Sequence, residues 1–169
     1  EYPRLACDIE GFSLRFNEAG IATIAFAWDK HNGMAFACDY QPHDPGFGEG
    51  FRHFELNKPI RSLLKEFFTK YKGELIFHNA PYDVKVIIAS LWMKDYLDTD
   101  GLLRGLDIMT RRMHDTKIVA YLATNSTAGN VLGLKSLAHE FAGNWAVEVS
   151  DIRRVAPKDL LQYNLVDAL

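Results

Sequence analysis

The sequence predicts an α/β domain built on a mixed sheet. Two observations predict it: three strand-like runs crowd into residues 5–40, and amphipathic helices then alternate with short apolar strands. Leu5-Ala6-Cys7-Asp8-Ile9-Glu10 reads as the first strand. Asn17-Glu18-Ala19-Gly20 supplies a turn, residues 21–28 a β-rich run, Asn32-Gly33 a second turn and residues 34–40 a third strand, so the opening is an antiparallel meander. Residues 41–57, rich in Pro, Gly and His and without periodicity, read as a surface loop.

Pro59 opens a helix on which Ile60, Leu63, Leu64, Phe67, Phe68 and Tyr71 recur at helical spacing, with Gly73 just beyond its end. Residues 74–77 form a short apolar strand, and the helix after it, starting near Asn79 or Pro81, carries Val84, Ile87, Ile88 and Leu91 on its apolar face. Beyond a polar stretch at 98–101, the run to His114-Asp115 supplies a last short strand and residues 116–122 a helix leading out of it. Residues 124–130 are a Ser/Thr/Asn/Gly loop, 134–141 a short helix ended by Gly143, and 157–169 the final helix. The expected sheet therefore has three antiparallel strands, then two parallel additions, with helices on both faces.

At 169 residues the chain has the size of one domain. Its 48% hydrophobic and 24% charged residues are ordinary for a folded soluble protein and give no case for disorder. No stretch approaches the roughly 18 apolar residues that span a bilayer, and the start lacks the apolar core of a secretory signal, so a cytoplasmic protein without membrane contact is expected. Cys7 and Cys38 lie in apolar runs and read as buried thiols. The net charge of −3 offers no basic footprint for nucleic acid. A site that holds divalent cations nevertheless presents positive charge to phosphate, so charge does not decide. The chain has no initiating Met, and its last helix stops on an apolar residue with no capping Gly; a piece excised from a longer protein is expected.

Three motifs carry chemistry. Asp8 and Glu10, two apart in a strand, fall on one face of the sheet, although an isolated Asp-x-Glu reads more readily as the solvated side of an alternating strand. His78-Asn79-Ala80-Pro81-Tyr82-Asp83 lies where a strand passes into a helix, where Asn as a cap and an acidic first turn are also stabilising in their own right. In the last helix, Tyr163 and Asp167 share one side of Tyr163-Asn164-Leu165-Val166-Asp167, which alone is an ordinary polar stripe.

Together they are specific. The order of elements is shared by ribonuclease H-like domains. Ile9-Glu10, Phe77 to Asp83, His114-Asp115-Thr116-Lys117 with Ala120-Tyr121-Leu122, and Tyr163 to Asp167 resemble the DEDD exonucleases, in the tyrosine-bearing branch found in phage-like family A DNA polymerases. The resemblance spans almost the whole chain and implies the ribonuclease H-like (DnaQ-like exonuclease) fold, a single 3′→5′ exonuclease domain over residues 1–169, a polymerase domain in the same chain or complex, and a bacterial cytoplasm, that of a phage-infected host included. By it, Asp8, Glu10, Asp83 and Asp167 are the four metal-binding acids and Tyr163 positions the attacking water. Leu14 falls where relatives place an apolar residue against the terminal base, and Asn79 where they place a polar contact to the substrate backbone. Gly11 stands where Thr is common, which leaves only backbone for a contact with the terminal nucleotide.

Four converging carboxylates raise one another's pKa values and call for cations. Hard oxygen donors favour two divalent ions, Mg²⁺ or Mn²⁺, which grip the entering and leaving oxygens of a phosphodiester. The expected substrate is a single-stranded DNA 3′ end, with Leu14 and Phe12 as candidate stacking residues, Phe12 reading equally well as ordinary core, and the products are nucleoside 5′-monophosphates. Alternatives are a ribonuclease D-like exonuclease that trims RNA, and a non-catalytic 3′-end-binding module of a polymerase, the latter disfavoured by retention of all the acids. His31, His43 and His53 show no zinc-site spacing; Asn125-Ser126-Thr127 fits a glycosylation signal but has no secretory route; Arg111-Arg112 and Arg153-Arg154 are candidate duplex contacts.

Overall fold

Along β1 (Arg4–Glu10), buried Leu5, Cys7 and Ile9 alternate with Ala6, Asp8 and Glu10, and this alternation places the acids on one face of the sheet. The computed structural model describes residues 2–41, 53, 54, 56–124, 131–141, 143, 149 and 151–169. After β1 come α1 (Phe16–Ala19), β2 (Thr23–Asp29), β3 (Asn32–Ala37), β4 (Tyr40–Gln41), β5 (His53–Phe54), α2 (Lys58–Lys70), β6 (Glu74–Phe77) and α3 (Pro81–Leu91). Then follow α4 (Thr99–Thr110), β7 (Met113–Asp115), α5 (Thr116–Ala123), α6 (Leu134–Phe141), a 3₁₀ turn at Ile152–Arg154 and α7 (Pro157–Ala168).

The main sheet has the order β3-β2-β1-β6-β7, antiparallel across β3, β2 and β1 and parallel across β1, β6 and β7, as the sequence predicts. The β2–β3 turn is held by Asp29, whose Oδ1 accepts the His31 N–H at 2.8 Å and the Asn32 side-chain amide at 3.0 Å. The reversal expected at residues 17–20 is partly a helical turn, α1. The ends of the expected 41–57 loop are tied, because β4 pairs antiparallel with β5; residues 42–52 and 55, His43 among them, lie outside the described residues, as do 125–130.

Strand register explains how the final helix reaches the acids. Ala6, Asp8 and Glu10 stand opposite Ala27, Ala25 and Thr23, which in turn stand opposite Gly33, Ala35 and Ala37. Cross-strand partners share a face, so this face carries only small residues beside the two acids. α7 lies on it against all three strands, with Ala168 packed among Ala6, Ala25, Ala27 and Ala35. The other face presents Leu5, Cys7, Ile9, Ile24 and Phe26 to α2 and α3, and Phe26 meets Phe67 edge-on at 5.1 Å between ring centroids.

α2 starts where Asn57 accepts the Ile60 N–H at 3.2 Å, with Pro59 in its first turn. It buries Leu64 and Phe68, but Leu63, placed by spacing on the apolar face, is exposed. α3 buries Val84, Ile87, Ile88 and Leu91 as its periodicity predicts. α4 has no counterpart in the sequence reading. It is capped by Asp98, which accepts the Gly101 N–H at 2.9 Å, and it packs on α3 where a Cβ at residue 105 would come within 2.6 Å of Ile88. The buried pair Asp39–Arg61, at 2.6 Å, ties the segment after β3 to α2, while Asp39 also accepts the Ile21 and Asn57 N–H groups. Cys7 and Cys38 are free and buried, which pushes their thiols up, Cys38 to about 12. Among the described residues no helix is long and apolar enough to cross a membrane.

Candidate active site

β1 and α7 bring Asp8, Glu10 and Asp167 together, with one carboxylate oxygen from each lying within 4.8 Å of the others. The small-residue face lets α7 settle, and a buried stripe of Leu160, Asn164 and Ala168, spaced four apart, fixes its rotation. Asn164 is fully buried. Its Nδ2 donates to Asp8 Oδ2 at 2.7 Å and its Oδ1 accepts the Thr23 hydroxyl at 2.9 Å, so one amide links β1, β2 and α7. On the same helix Tyr163 is half-buried and stands one turn before Asp167, on the same side of the helix.

Asp83 stands apart from these three. The pairing of β1 with β6 ends at Ala6–Ile76, and the free Ile9 N–H donates to Asp83 Oδ1 at 3.3 Å from the first turn of α3. Asp83 is only 6% exposed and bears on the cluster through its charge. After burial itself, Asp83 is the largest influence that raises the Asp8 pKa, followed by Glu10 and Asp167, while the Asn164 hydrogen bond opposes the rise. Burial, then Asp167, pushes Glu10 up to about 8 against the pull of Lys135. Burial pushes Asp83 up to about 7 although backbone N–H groups favour its charged form. Tyr163 is raised, chiefly by burial and by Asp167. Such crowded negative charge is under-compensated by the protein alone, and an all-oxygen donor set of this kind suits hard divalent cations.

The softer candidates border the same end of the sheet. Leu14 is 93% exposed and lines a cleft of about 330 Å³ with Glu10, Gly11, Phe12, Tyr82 and Arg153. A Cβ on Gly11 would sit 2.5 Å from the Tyr82 hydroxyl, which donates to the Ser13 carbonyl at 2.8 Å; Tyr82 thus fills the space that a side chain at residue 11 would need. Phe12 packs partly buried against Tyr40. Asn79 is exposed and takes positive φ, 61°, a conformation that Asn tolerates better than most residues. It does not cap α3, contrary to the expectation from its type. The residue at the cap is Ala80, and Asp115 at the end of β7 accepts the N–H groups of Asn79 at 3.0 Å and Ala80 at 2.9 Å. The Asn79 side chain instead accepts Lys117 Nζ at 3.3 Å.

Three partners escape the sequence reading: Thr23, Asn164 and Lys135. Asn164 lies inside the last motif, and its spacing from Leu160 and Ala168 could have marked it as inward-facing. Lys135 ion-pairs with Asp167 through Nζ and lies 4.4 Å from the centroid of the Tyr163 ring, and nothing in the helical pattern around it signals that placement. Of the basic clusters, Arg111 pairs with Asp107, Arg112 donates to the Lys72 carbonyl at 2.9 Å, and Arg153 pairs with Asp151. A larger cleft of about 470 Å³, bordered by Glu18, Arg61, Met93 and Tyr96, contains none of the candidate residues.

A mixed sheet of this order, with acids gathered at the end of its central strand, defines a ribonuclease H-like domain with an acidic centre. The family model DNA_pol_A_exo1, described as 3′-5′ exonuclease, matches residues 1–168, and the chain belongs to that family. Among curated protein sequences no relative matches. Solved structures share the fold. Brucella melitensis NrnC bound to pGG superposes with a TM-score of 0.64 at 16% identity, over 99% of this chain and 67% of that one. The same protein with bound Mg²⁺ gives 0.62 at 15%, over 100% and 68%. The RNase domain of the yeast Pop2 protein gives 0.52 at 14%, over 99% and 76%, and an E. coli ExoI–ssDNA complex gives 0.53 at 14%, over 89% and 36%. At such identities the likeness is one of fold.

Proposed function

We propose that this domain is a metal-dependent 3′→5′ exonuclease that removes nucleoside 5′-monophosphates from single-stranded DNA ends, as the proofreading domain of a family A DNA polymerase. The observation that carries the reading is the meeting of Asp8, Glu10 and Asp167, from opposite ends of the chain, within 4.8 Å. The family match, to a model named for the exonuclease of DNA polymerase A, supports DNA as substrate.

In this reading Asp8, Glu10, Asp83 and Asp167 would hold two divalent cations, Mg²⁺ or Mn²⁺. Bound there, the ions would supply Lewis acidity to the entering and departing oxygens. Tyr163, one turn from Asp167 with the Lys135 ammonium over its ring, orients the attacking water. Water oxygen bonds to phosphorus, the bond from phosphorus to the 3′ oxygen breaks, and a proton ends on that oxygen of the shortened strand. Asn164 and Thr23 keep Asp8 directed at the cluster. Leu14, at the mouth of the cleft beside Glu10, bears on the terminal base, Asn79 contacts the substrate backbone, and at Gly11 only main chain faces the last nucleotide.

A second reading, RNA trimming, is favoured by the structural likeness to the RNase domain of Pop2. Matched DNA and RNA oligonucleotides labelled at the 5′ end, incubated with Mg²⁺ or Mn²⁺, separate the two. The proposal expects a descending ladder on DNA, faster than on RNA, abolished by EDTA and by Asp8→Ala. Undiminished degradation by Asp8→Ala removes the site, and faster hydrolysis of RNA replaces the substrate.

A further inference from the structure

Lys135 sits in the first turn of α6, with its side chain 21% exposed and its ammonium on Asp167, whose own side chain is 7% exposed. The ammonium also lies 4.4 Å from the centroid of the Tyr163 ring, within the range of a cation–π contact. One cationic side chain, delivered by a helix outside the sheet, therefore meets Asp167 and Tyr163 at once.

We infer that Lys135 is a built-in counter-ion that occupies the positive-charge position beside Asp167 in the metal-free domain and yields Asp167 to a divalent cation on loading. This rests on the metal-binding reading above. A carboxylate oxygen engaged by an ammonium has fewer lone pairs free for a metal, so the two cations compete for Asp167. The ammonium already lies against the Tyr163 ring, so it can leave Asp167 and keep that contact. Lys135 then acts as a positioning residue: it keeps Asp167 and Tyr163 together before loading and sets how much metal the site demands.

Mn²⁺ titration calorimetry on the intact chain, without nucleic acid, tests this. Lys135→Met keeps the aliphatic stem and removes the charge, Lys135→Gln does so with a polar end, and Lys135→Arg keeps it; thermal melts verify that each variant folds. The expected result is Mn²⁺ binding roughly fivefold tighter in the Met and Gln variants, the order set by losing one partly exposed ion pair. Lys135→Arg should stay near wild type. Unchanged or weaker binding in both neutral variants, with wild type binding Mn²⁺ normally, overturns the inference and leaves the metal site intact. No Mn²⁺ binding by any of the four proteins overturns the metal reading and the inference together. Binding seen only after Lys135 is neutralised supports both.

Discussion

Asn164 is the most demanding point of the structure to perturb, because one buried amide serves two strands and the helix that completes the site. Asn164→Leu keeps the branched shape and removes both polar atoms. Asp8 then loses a hydrogen bond to a charged acceptor, a contribution of about 1.5–3 kcal/mol. Thr23, itself fully buried, loses the acceptor for its hydroxyl, and an unsatisfied buried donor costs about 1–3 kcal/mol. The expected loss is about 3–5 kcal/mol, a large part of the stability of about 5–15 kcal/mol typical of a domain. With a urea slope of about 2 kcal/mol/M the unfolding midpoint falls by roughly 2 M. Thr23→Val in the Asn164→Leu background recovers part of the loss, since the orphaned hydroxyl is then gone, and the double-mutant cycle gives a coupling of about 1 kcal/mol or more. A loss below about 0.5 kcal/mol in the single variant, or additive behaviour in the cycle, refutes the link between β1, β2 and α7.

Gly11→Ala places a methyl group on the Tyr82 hydroxyl and lowers stability by about 1–3 kcal/mol; Tyr82→Phe in the same chain relieves part of this in chemical denaturation, and equal losses with either residue at 82 contradict the packing account. Asp115→Ala strips the acceptor from the N–H groups of Asn79, Ala80 and Lys117 and costs about 3 kcal/mol or more in urea melts, with an insensitive protein as the contrary result. Without metal, Glu10 is raised from 4.5 to about 8, so the folded state binds its proton more tightly than the unfolded state does. Its stabilising contribution is complete below pH 4.5 and is lost as pH rises to about 8, so in EDTA the wild type loses stability relative to Glu10→Gln across that window. A gap that stays flat or widens the other way contradicts the crowding of charge.

The meander and its parallel additions are legible because strand periodicity and turn residues act locally: Asp29-Lys30-His31-Asn32 needs nothing distant to close its turn. α4 is hidden for the opposite reason. Gly101 and Gly105 lower its helix propensity, and the benefit of Gly105, close approach to Ile88, exists only once α3 is in place. Leu63 follows the helical pattern and still faces solvent, because the pattern of α2 does not tell how wide its covered stripe is. At the site, Asp8 and Glu10 share a face by strand period alone, and Tyr163 and Asp167 share a side by helix period. That the two pairs meet depends on register: a run of Ala, Gly and Thr on three paired strands is what lets α7 approach, and it becomes visible only when the strands are aligned. Where Asp83 sits relative to the other acids is not legible in its motif, because its contact with the Ile9 N–H depends on β1 parting from β6 after Ala6. Lys135 is invisible for a further reason: its ion pair joins positions 32 residues apart across segments with no common pattern.

Anomalous diffraction from crystals soaked in Mn²⁺ tests the central claim most directly, because it sees the cation and its ligands together. Strong anomalous density ligated by Asp8, Glu10 and Asp167 is the expected result, with Lys135 withdrawn from Asp167. Absence of density among those three carboxylates in crystals soaked at millimolar Mn²⁺, or ions bound only elsewhere on the surface, contradicts it.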